Sequence, residues 1–537
     1  MSLLDDVSIV VTPNGYKAGT LFGVIPVPSE GAELVTNGDF ATDSDWNKGT
    51  GWSISNGELV GNNATSITYQ GISAQPNTFY KVTFTVSNYV SGNVLFQFNG
   101  GSNSGTPRTS VGTYTEYIAT DASVNGNFSI TRTQNFTGSI ENVSVKEYTA
   151  SDMDVTRATD ATRVDENGLV EKLGANVPRI DYTGGGCPHI LAEPQRTNLV
   201  TYSEDFSDSS WSKSDVTVEG GFTSPSGDES AYKLKEGSAT INHQMYASIS
   251  GIAGNTYTLS GIFKKGERDI IQLVYGGAAF DEGNTYCNFD LSNGVLGSGL
   301  YLSASITLIS NGWYRCEFTA TKTTTGNFNI TYAPKLTSTS SRNAVYTGDG
   351  TSGVYIWGAQ VEVGSYATSY IPTSGSTVTR NQDIFTRDGI GSLINSEEGV
   401  LFLEMAALTD DNARRTVSLS DGSNSNRVIL RYGDSSNRVQ VFIKVGGATN
   451  GNIINDSYTI TNFLKIAYKW KAGDFALWIN GTEVGTSADA TSFGTGVLTE
   501  LQFNQGDGTG DEYFGKVKQL QVYDTALTDT QLAALTS

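Results

Sequence analysis

The sequence predicts an all-β protein, a set of tandem jelly-roll β-sandwiches joined by an extended connector. Three observations carry that prediction. Glycine is abundant at 61 of 537 residues, while lysine and arginine together number 34, the profile of turn-rich β domains rather than helical ones. Apolar residues alternate with polar ones over short runs, as in Tyr80, Val82, Phe84 and Val86 or Val94, Phe96 and Phe98, and a period of two is the signature of a half-buried strand. Finally, one segment plan occurs twice. A chain this long exceeds a single hydrophobic core, so three to four domains are expected.

Residues 1–33 form a head segment. Val7–Val11 and Leu21–Val27 are short apolar runs around a turn at Pro13–Gly15. The segment is too small to fold alone, so it is expected to pair with its own chain or with a partner. Residues 34–150 read as a first sandwich, opened by Phe40 and Trp46 and closed by a strand with Val143 and Val145 inward. Residues 198–383 repeat the plan. Phe206 and Trp211 echo Phe40 and Trp46, Asn255-Thr-Tyr257 echoes Asn77-Thr-Phe79, and Val354–Val361 echoes Ile140–Val145. A Val-Thr-Arg tripeptide follows each copy, at Val155–Arg157 and Val378–Arg380, which marks a duplication.

Between the copies, residues 151–197 read as an extended connector. Its breaks at Gly168, Gly174, Pro178 and Gly184–Gly186 exclude a helix, and a residue before proline is held extended. It is not Gly/Ser-rich, so it is not a flexible linker. Its four arginines, Arg157, Arg163, Arg179 and Arg196, are expected to clamp carbonyls and carboxylates of the flanking modules through their fixed fork of donors. Residues 384–537 differ, with longer alternating strands at Gly399–Met405, Arg427–Tyr432, Arg438–Val445, Phe463–Trp470, Phe475–Ile479 and Lys516–Tyr523. Asp474 and Asn480-Gly481 supply hairpin turns. Thr528 and Gln531 form a capping box with Leu527 and Leu532 as its hydrophobic staple, so one short helix closes the domain.

The formal net charge is −21. That surface repels nucleic acid and leaves room for Ca²⁺, which takes carboxylate and carbonyl oxygens. The densest oxygen-rich turn is Asn504–Asp511, so Asp507 and Asp511 are the candidate metal ligands. Asn and Asp also dominate turns for backbone reasons alone. Cys187, Cys287 and Cys316 are too few and too scattered for a disulfide framework or a zinc site. Cys287 and Cys316 lie in strand-like runs and read as buried thiols, which fits assembly in a reducing cytoplasm. The acidic N-terminus lacks the basic region of a signal peptide, and no apolar run approaches the ~20 residues of a membrane span.

Catalysis is not expected. His189 and His243 are far apart, and no nucleophile, zinc or nucleotide-loop motif occurs. Paired carboxylates such as Glu204-Asp205 and Glu397-Glu398 exist, but a glycosidase needs two that flank a sugar in a cleft, which sequence does not show. An exposed tryptophan face is a better candidate for a sugar, because a pyranose packs its C–H face on a ring. Trp46 and Trp211 recur as core anchors, and Trp470 and Trp478 sit in a hairpin. Trp52, in a Gly-Thr-Gly-Trp turn, is the least core-like and is the candidate glycan contact.

The stretch DVTRATDATRVDENGLVEKLGANVPRIDY…LAEPQRTNL at Asp154–Leu199, followed by YSEDFSDSSW, resembles tailed-bacteriophage virion proteins of the fibre and decoration type. The similarity runs to YIWGAQVEVGSYATSYIPTSGSTVTRNQD at Tyr355–Asp383, and the opening SLLDDVSIVVTPNGYKAGTLFGVIP resembles their N-termini. Residues 34–150 and 198–383 resemble carbohydrate-binding-module sandwiches. KIAYKWKAGDFALWINGTEVG and FGKVKQLQVYDTALTDTQLAAL resemble laminin-G or concanavalin-like sandwiches. The resemblance implies a virion-surface protein assembled in the host cytoplasm and anchored to capsid or tail through residues 1–33. It implies a homotrimer, without heptads to support one independently, whose modules attach to host-surface glycans. Two alternatives are a capsid decoration or cement protein and a virion enzyme that degrades glycans.

Overall fold

A computed structural model describes residues 7–13, 29–76, 78–98, 104–120, 123–149, 153–277, 280–281 and 285–537. The run Leu21–Val27 and most of the turn after Pro13 lie outside the described residues. The chain divides into two compact units, Pro26–Asp152 and a second made of Met1–Ile25 with Met153–Ser537. The fold is all-β, and the one α-helix among the described residues is Asp529–Thr536.

Pro26–Asp152 is the first sandwich. Its larger sheet runs Trp52–Ser55, Glu58–Ala64, Phe136–Thr149, Phe79–Ser91, Gly112–Ala119, and Ser29–Glu33 pairs with the closing strand Phe136–Thr149. Thr68–Gly71, Asn127–Thr131 and Leu95–Phe98 form the second layer. The alternating residues Tyr80, Val82, Phe84 and Val86 meet Val94, Phe96 and Phe98 in the core, as their period requires.

The second sandwich has two six-stranded sheets. One runs Ser212–Ser214, Gln244–Gly251, Gly326–Lys335, Ile270–Gly276, Tyr286–Asp290, Val295–Leu300. The other runs Val216–Phe222, Ala231–Glu236, Gly353–Val363, Thr256–Lys265, Trp313–Thr321, Ser303–Ser310. Cys287 and Cys316 are buried in this core, and Cys187 is exposed.

The third sandwich is built from more of the chain than its contiguous segment. Its seven-stranded sheet runs Asp154–Thr156, Ile384–Arg387, Glu500–Gln502, Arg415–Ser420, Arg427–Tyr432, Val439–Val445, Ala448–Asn455. Its eight-stranded sheet includes Ile180–Asp181 and His189–Ala192, then Gly515–Tyr523, Glu398–Ala407, Leu464–Lys471, Phe475–Ile479 and Thr482–Ser487. The connector is therefore extended but is no mere link, since three of its strands complete these two sheets. Val7–Val11 pairs with the same edge of Gly515–Tyr523 that receives His189–Ala192. Val7 lies opposite Tyr523 and Val11 opposite Leu520, whereas Ile190 lies opposite Val517 and Ala192 opposite Gly515. The head strand thus finds its partner in its own chain, which leaves fewer unpaired backbone groups along that edge.

Local chemistry follows the sequence closely here. Asn480 and Gly481 both take positive φ (47° and 80°) in the two-residue turn between Phe475–Ile479 and Thr482–Ser487, as a type I′ hairpin requires. Both halves of the Thr528–Gln531 capping box are made. Leu527 and Leu532 are buried in one cluster with Trp478 and Tyr523, which docks the helix.

Candidate functional site

Buried arginines organise the junction of the connector with the second and third sandwiches. Arg157 is fully buried. It donates to Asp383 Oδ1 at 2.8 Å and to the carbonyls of Thr159, Gly174 and Val177 at 2.9, 2.7 and 3.0 Å. Arg179, also buried, bonds Glu193 Oε2 and Ser369 Oγ at 2.6 Å each, and pairs with Asp383. Arg380 completes the cluster by donating to Glu193, to the Pro194 carbonyl at 2.6 Å and to Ser369 Oγ at 2.8 Å. Arg163 and Arg196 do not join it. Arg163 stays within the connector on Glu171 and the Ile180 carbonyl, both 2.8 Å away. Arg196 lies 5.4 Å from the Tyr366 ring centroid and bonds the Gln195 carbonyl.

Two of the four arginines are thus the clamp, and Arg380 is the member that sequence reasoning missed. The signal was present, since Arg157 and Arg380 end the two Val-Thr-Arg tripeptides. Burial alone would raise the Glu193 carboxyl, but Arg380 and Arg179 outweigh it and hold it well below the usual carboxylate range. Buried ion pairs of this kind repay their desolvation only as far as the remaining donors are satisfied; carbonyl and hydroxyl contacts satisfy several of them here, while Arg179 Nε and Arg380 Nε are buried without a hydrogen-bond partner. The cluster fixes geometry, and its Glu193 and Ser369 also line a cavity of about 270 Å³ together with Arg163, Arg315 and Tyr370.

The seven tryptophans are all buried. Trp52 stacks on Phe136 with centroids 5.7 Å apart and donates its N–H to the Ser66 carbonyl at 2.8 Å. Its face is spent on the core rather than offered to a sugar. The sequence placed it in a turn, but the strand Trp52–Ser55 begins at that residue, which turns the ring inward.

The aromatic and carboxylate groups that do share an open groove are tyrosines of the second sandwich. The groove, about 350 Å³, is lined by Tyr202, Glu204, Asp205, Glu229, Ser230 and Tyr232, with Gly220-Gly221 and Thr373-Ser374 along its sides. A volume of this order is that of a small-ligand cleft. Tyr232 is held edge-on by Phe206, 5.7 Å away, and its hydroxyl donates to Asp205 Oδ1 at 3.1 Å. Gly220 keeps the ring open, since a Cβ there would meet the Tyr232 ring at 3.2 Å. Glu204 accepts from Tyr370 Oη at 2.8 Å, and burial raises its carboxyl. Asp205 goes the other way, lowered by the Ser207 hydroxyl that donates to it at 2.6 Å. Rings with accepting oxygens around them are what a saccharide uses, apolar C–H faces on one side and hydroxyls on the other.

The oxygen-rich turn of the third sandwich folds over the outward face of the seven-stranded sheet. Asp507 accepts the backbone N–H of Thr509 at 3.1 Å and bonds Asn424, and Asp511 lies 3.7 Å from Arg431. These two carboxylates serve the turn and an arginine. Among the described residues no group of three or more His, Cys, Asp or Glu side chains gathers as metal ligands would.

Residues 403–533 match the concanavalin A-like lectin/glucanases superfamily, in its Laminin_G_3 family. No curated protein matches the chain. Among solved structures, the carbohydrate-binding module CBM40 of the Ruminococcus gnavus IT-sialidase, bound to α2,3-sialyllactose, is 17% identical over 26% of this chain and 83% of its own, with a TM-score of 0.23. Domain 4 of AbnA, an extracellular arabinanase from Geobacillus stearothermophilus in complex with arabinotriose, is 14% identical over 32% of this chain and 83% of its own, with a TM-score of 0.24. The tandem CBM22 domains of Xyn10C from Paenibacillus barcinonensis are 11% identical over 62% of this chain and 98% of their own, with a TM-score of 0.21. What this chain shares with the matched family is a laminin G/concanavalin-like jelly roll in its last sandwich.

Proposed function

We propose that the chain is a non-enzymatic structural protein of a tailed-phage virion, a head or tail fibre or spike whose β-sandwiches bind host-surface glycans. The observation that carries the binding half is the Tyr202–Tyr232 groove, where a glycine leaves an aromatic face free beside accepting carboxylates. The virion half rests on the resemblance of Asp154–Asp383 to phage fibre and decoration proteins. In this reading the protein is a homotrimer on the virion surface, held to capsid or tail through its N-terminal segment. A decoration protein that locks capsomers is the alternative position. Ca²⁺, if it binds, occupies the Asn504–Asp511 turn.

A second reading is favoured by one detail. Glu204 is raised and Asp205 lowered within the same groove, and carboxylates whose environments separate them in this way suit acid and base roles in glycoside cleavage. Incubation of the purified chain with any glycan it binds, followed by reducing-end assay, separates the readings. Unchanged glycan supports a binding module, and new reducing ends establish an enzyme. Antibody against residues 399–537 should label intact particles, on the head for a head fibre and at the tail for a receptor-facing fibre. Particles without label would overturn the virion assignment.

A further inference from the structure

The cavity beside the arginine clamp has three walls. One is the outward face of the sheet that holds Trp313–Thr321. Cys316 and Phe318 point into the second core with Ile306, so their alternates Arg315, Glu317 and Thr307 face outward. Register sets Arg315 opposite both Ile262 and Thr307. The connector is the second wall. It docks through the Thr162 hydroxyl on the Tyr370 carbonyl at 2.5 Å, the Val170 N–H on the Pro225 carbonyl at 2.9 Å and the Ser310 hydroxyl on the Gly168 carbonyl. The third wall belongs to the third sandwich, where Leu191 and Lys516 lie opposite each other and leave their sheet on one face. The space they enclose, about 270 Å³, is enough for one small ligand.

Its floor is apolar, since Val170, Ile262 and Tyr370 pack in one cluster with Ile309. Its charges balance, with Arg163, Arg315 and Lys516 set against Asp181, Glu193 and Glu317. Half of these are already engaged. Glu193 belongs to the clamp, Asp181 accepts the N–H groups of Val164 and Thr183 at 2.9 Å each, and Arg163 is held by Glu171 and the Ile180 carbonyl. The other half keep free capacity. Glu317, half-buried, accepts the Ser305 hydroxyl at 3.0 Å, while Arg315 Nε stays 3.9 Å away, beyond hydrogen-bond distance. Burial outweighs Arg315 and raises the Glu317 carboxyl. Arg315 turns Nη2 to the Thr368 carbonyl and to Ser260 Oγ at 3.5 Å. Lys516 acts on the Glu317 charge through space but makes no ion pair among the described residues. One acceptor and two donors thus stand around an apolar floor with no formal excess of either sign.

We propose that this cavity binds a neutral pyranose, as a free sugar or as the end unit of a glycan. Neighbouring ring hydroxyls bridge Glu317 and Lys516, because a hydroxyl donates to the one and accepts from the other. Arg315 donates to a further hydroxyl, and the C–H face of the ring rests on Ile262 and Ile309. The balanced charge favours a neutral ligand over a net anion or cation. The cavity shares no lining residue with the Tyr202–Tyr232 groove, so it is a second site, with only the class of ligand in common with the glycan-binding reading.

The test is saturation-transfer NMR of the full chain with the methyl pyranosides of glucose, galactose, mannose and N-acetylglucosamine, and with glycine as a small zwitterion. At least one pyranoside should give a saturable signal. Thr307→Trp, which fills the cavity from an exposed position, should abolish that signal. Glu317→Gln should weaken the binding about fivefold, whereas Tyr232→Ala should leave it unchanged. Should Glu317→Gln melt early, Thr307→Trp decides. No pyranoside signal, or a signal undiminished in Thr307→Trp, would overturn the proposal. Glycine bound in place of every pyranoside would make the cavity a zwitterion site and overturn it equally. A signal lost in Tyr232→Ala and kept in Thr307→Trp would put the sugar in the groove, which overturns this second site and leaves the glycan-binding reading standing.

Discussion

In the first sandwich the Trp46 indole donates to the Asn37 carbonyl nine residues earlier, at 3.1 Å; in the second, Trp211 donates to Tyr202, also nine residues earlier, at 2.9 Å. Phe40 and Phe206 flank these rings at centroid distances of 5.4 and 5.3 Å. The Tyr80 hydroxyl accepts the Gln75 N–H at 2.7 Å, and the Tyr257 hydroxyl accepts that of Ile252 at 2.9 Å, again five residues back. Each closing strand breaks register against its neighbour at a residue of positive φ, Asn142 at 52° and Gly358 at 63°. Val143 and Ala359, the next residues, donate to Gly38 and Ser203, each at 2.9 Å. Bulges of this kind re-aim a strand and persist as built features.

Against that shared frame the differences are few and local. Tyr202 stands where the first copy has Asn37. Tyr232 lies opposite Ile356 where Leu59 lies opposite Ile140. Leu59 is core, whereas Tyr232 is half-buried and lines the groove. The duplication keeps the anchors and varies the rim, so function is read from the substitutions rather than from the plan.

The largest expected effect concerns a contact that the first copy does not share. Asp383→Ala leaves Arg157 and Arg179 buried without their carboxylate and should cost about 3–5 kcal/mol of stability. Calorimetry of the full chain should show the loss in the unit containing residues 153–537, with the transition of residues 26–152 unmoved. The tryptophan anchors come next. Trp46→Ala and Trp211→Ala should each cost about 3–5 kcal/mol through the cavity left, each in its own copy. A clear inequality between them would show that the frame is not equivalent.

A pH effect is expected outside both copies, at the connector strand that joins the third sandwich. Burial pushes His189 down to about 4, with Lys516 and Lys518 adding to the effect and Asp181 opposing it. The imidazole is then neutral in the fold and charges more readily in the unfolded chain. Stability should be complete above about pH 6.5 and fall by about 3 kcal/mol as pH drops to about 4. Denaturant unfolding of His189→Gln should lack most of that slope. The smallest stability effect is expected for Gly220→Ala, within about 0.5 kcal/mol at an exposed position.

Much of this was legible in sequence, because it is local. Alternation located the strands of all three sandwiches, and the Thr528–Gln531 capping box and the Asn480-Gly481 turn were readable from neighbouring residues. The repeat was readable too, although the structure makes Tyr80, not Phe79, the counterpart of Tyr257. What the sequence withheld is non-local. Nothing near Asp154, Ile180 or His189 says that these connector strands complete sheets of the third sandwich. Arg380 and Glu193 meet across 187 positions. Trp52 looked exposed because of its glycine neighbours, yet its ring is covered by Phe136, 84 residues away. The groove escaped notice because tyrosines in strands usually pack. Only Gly220, on the neighbouring strand opposite Tyr232, reveals a ring left uncovered.

The most direct test of the glycan-binding account is a glycan array probed with the full chain and with Gly220→Ala, whose added methyl would sit at 3.2 Å from the Tyr232 ring. The account expects the wild-type chain to bind a defined set of host-surface glycans. The variant, melting at nearly the same temperature, should lose at least tenfold in affinity for those that occupy the groove. Equal binding by both chains, or no glycan bound by either, would contradict it.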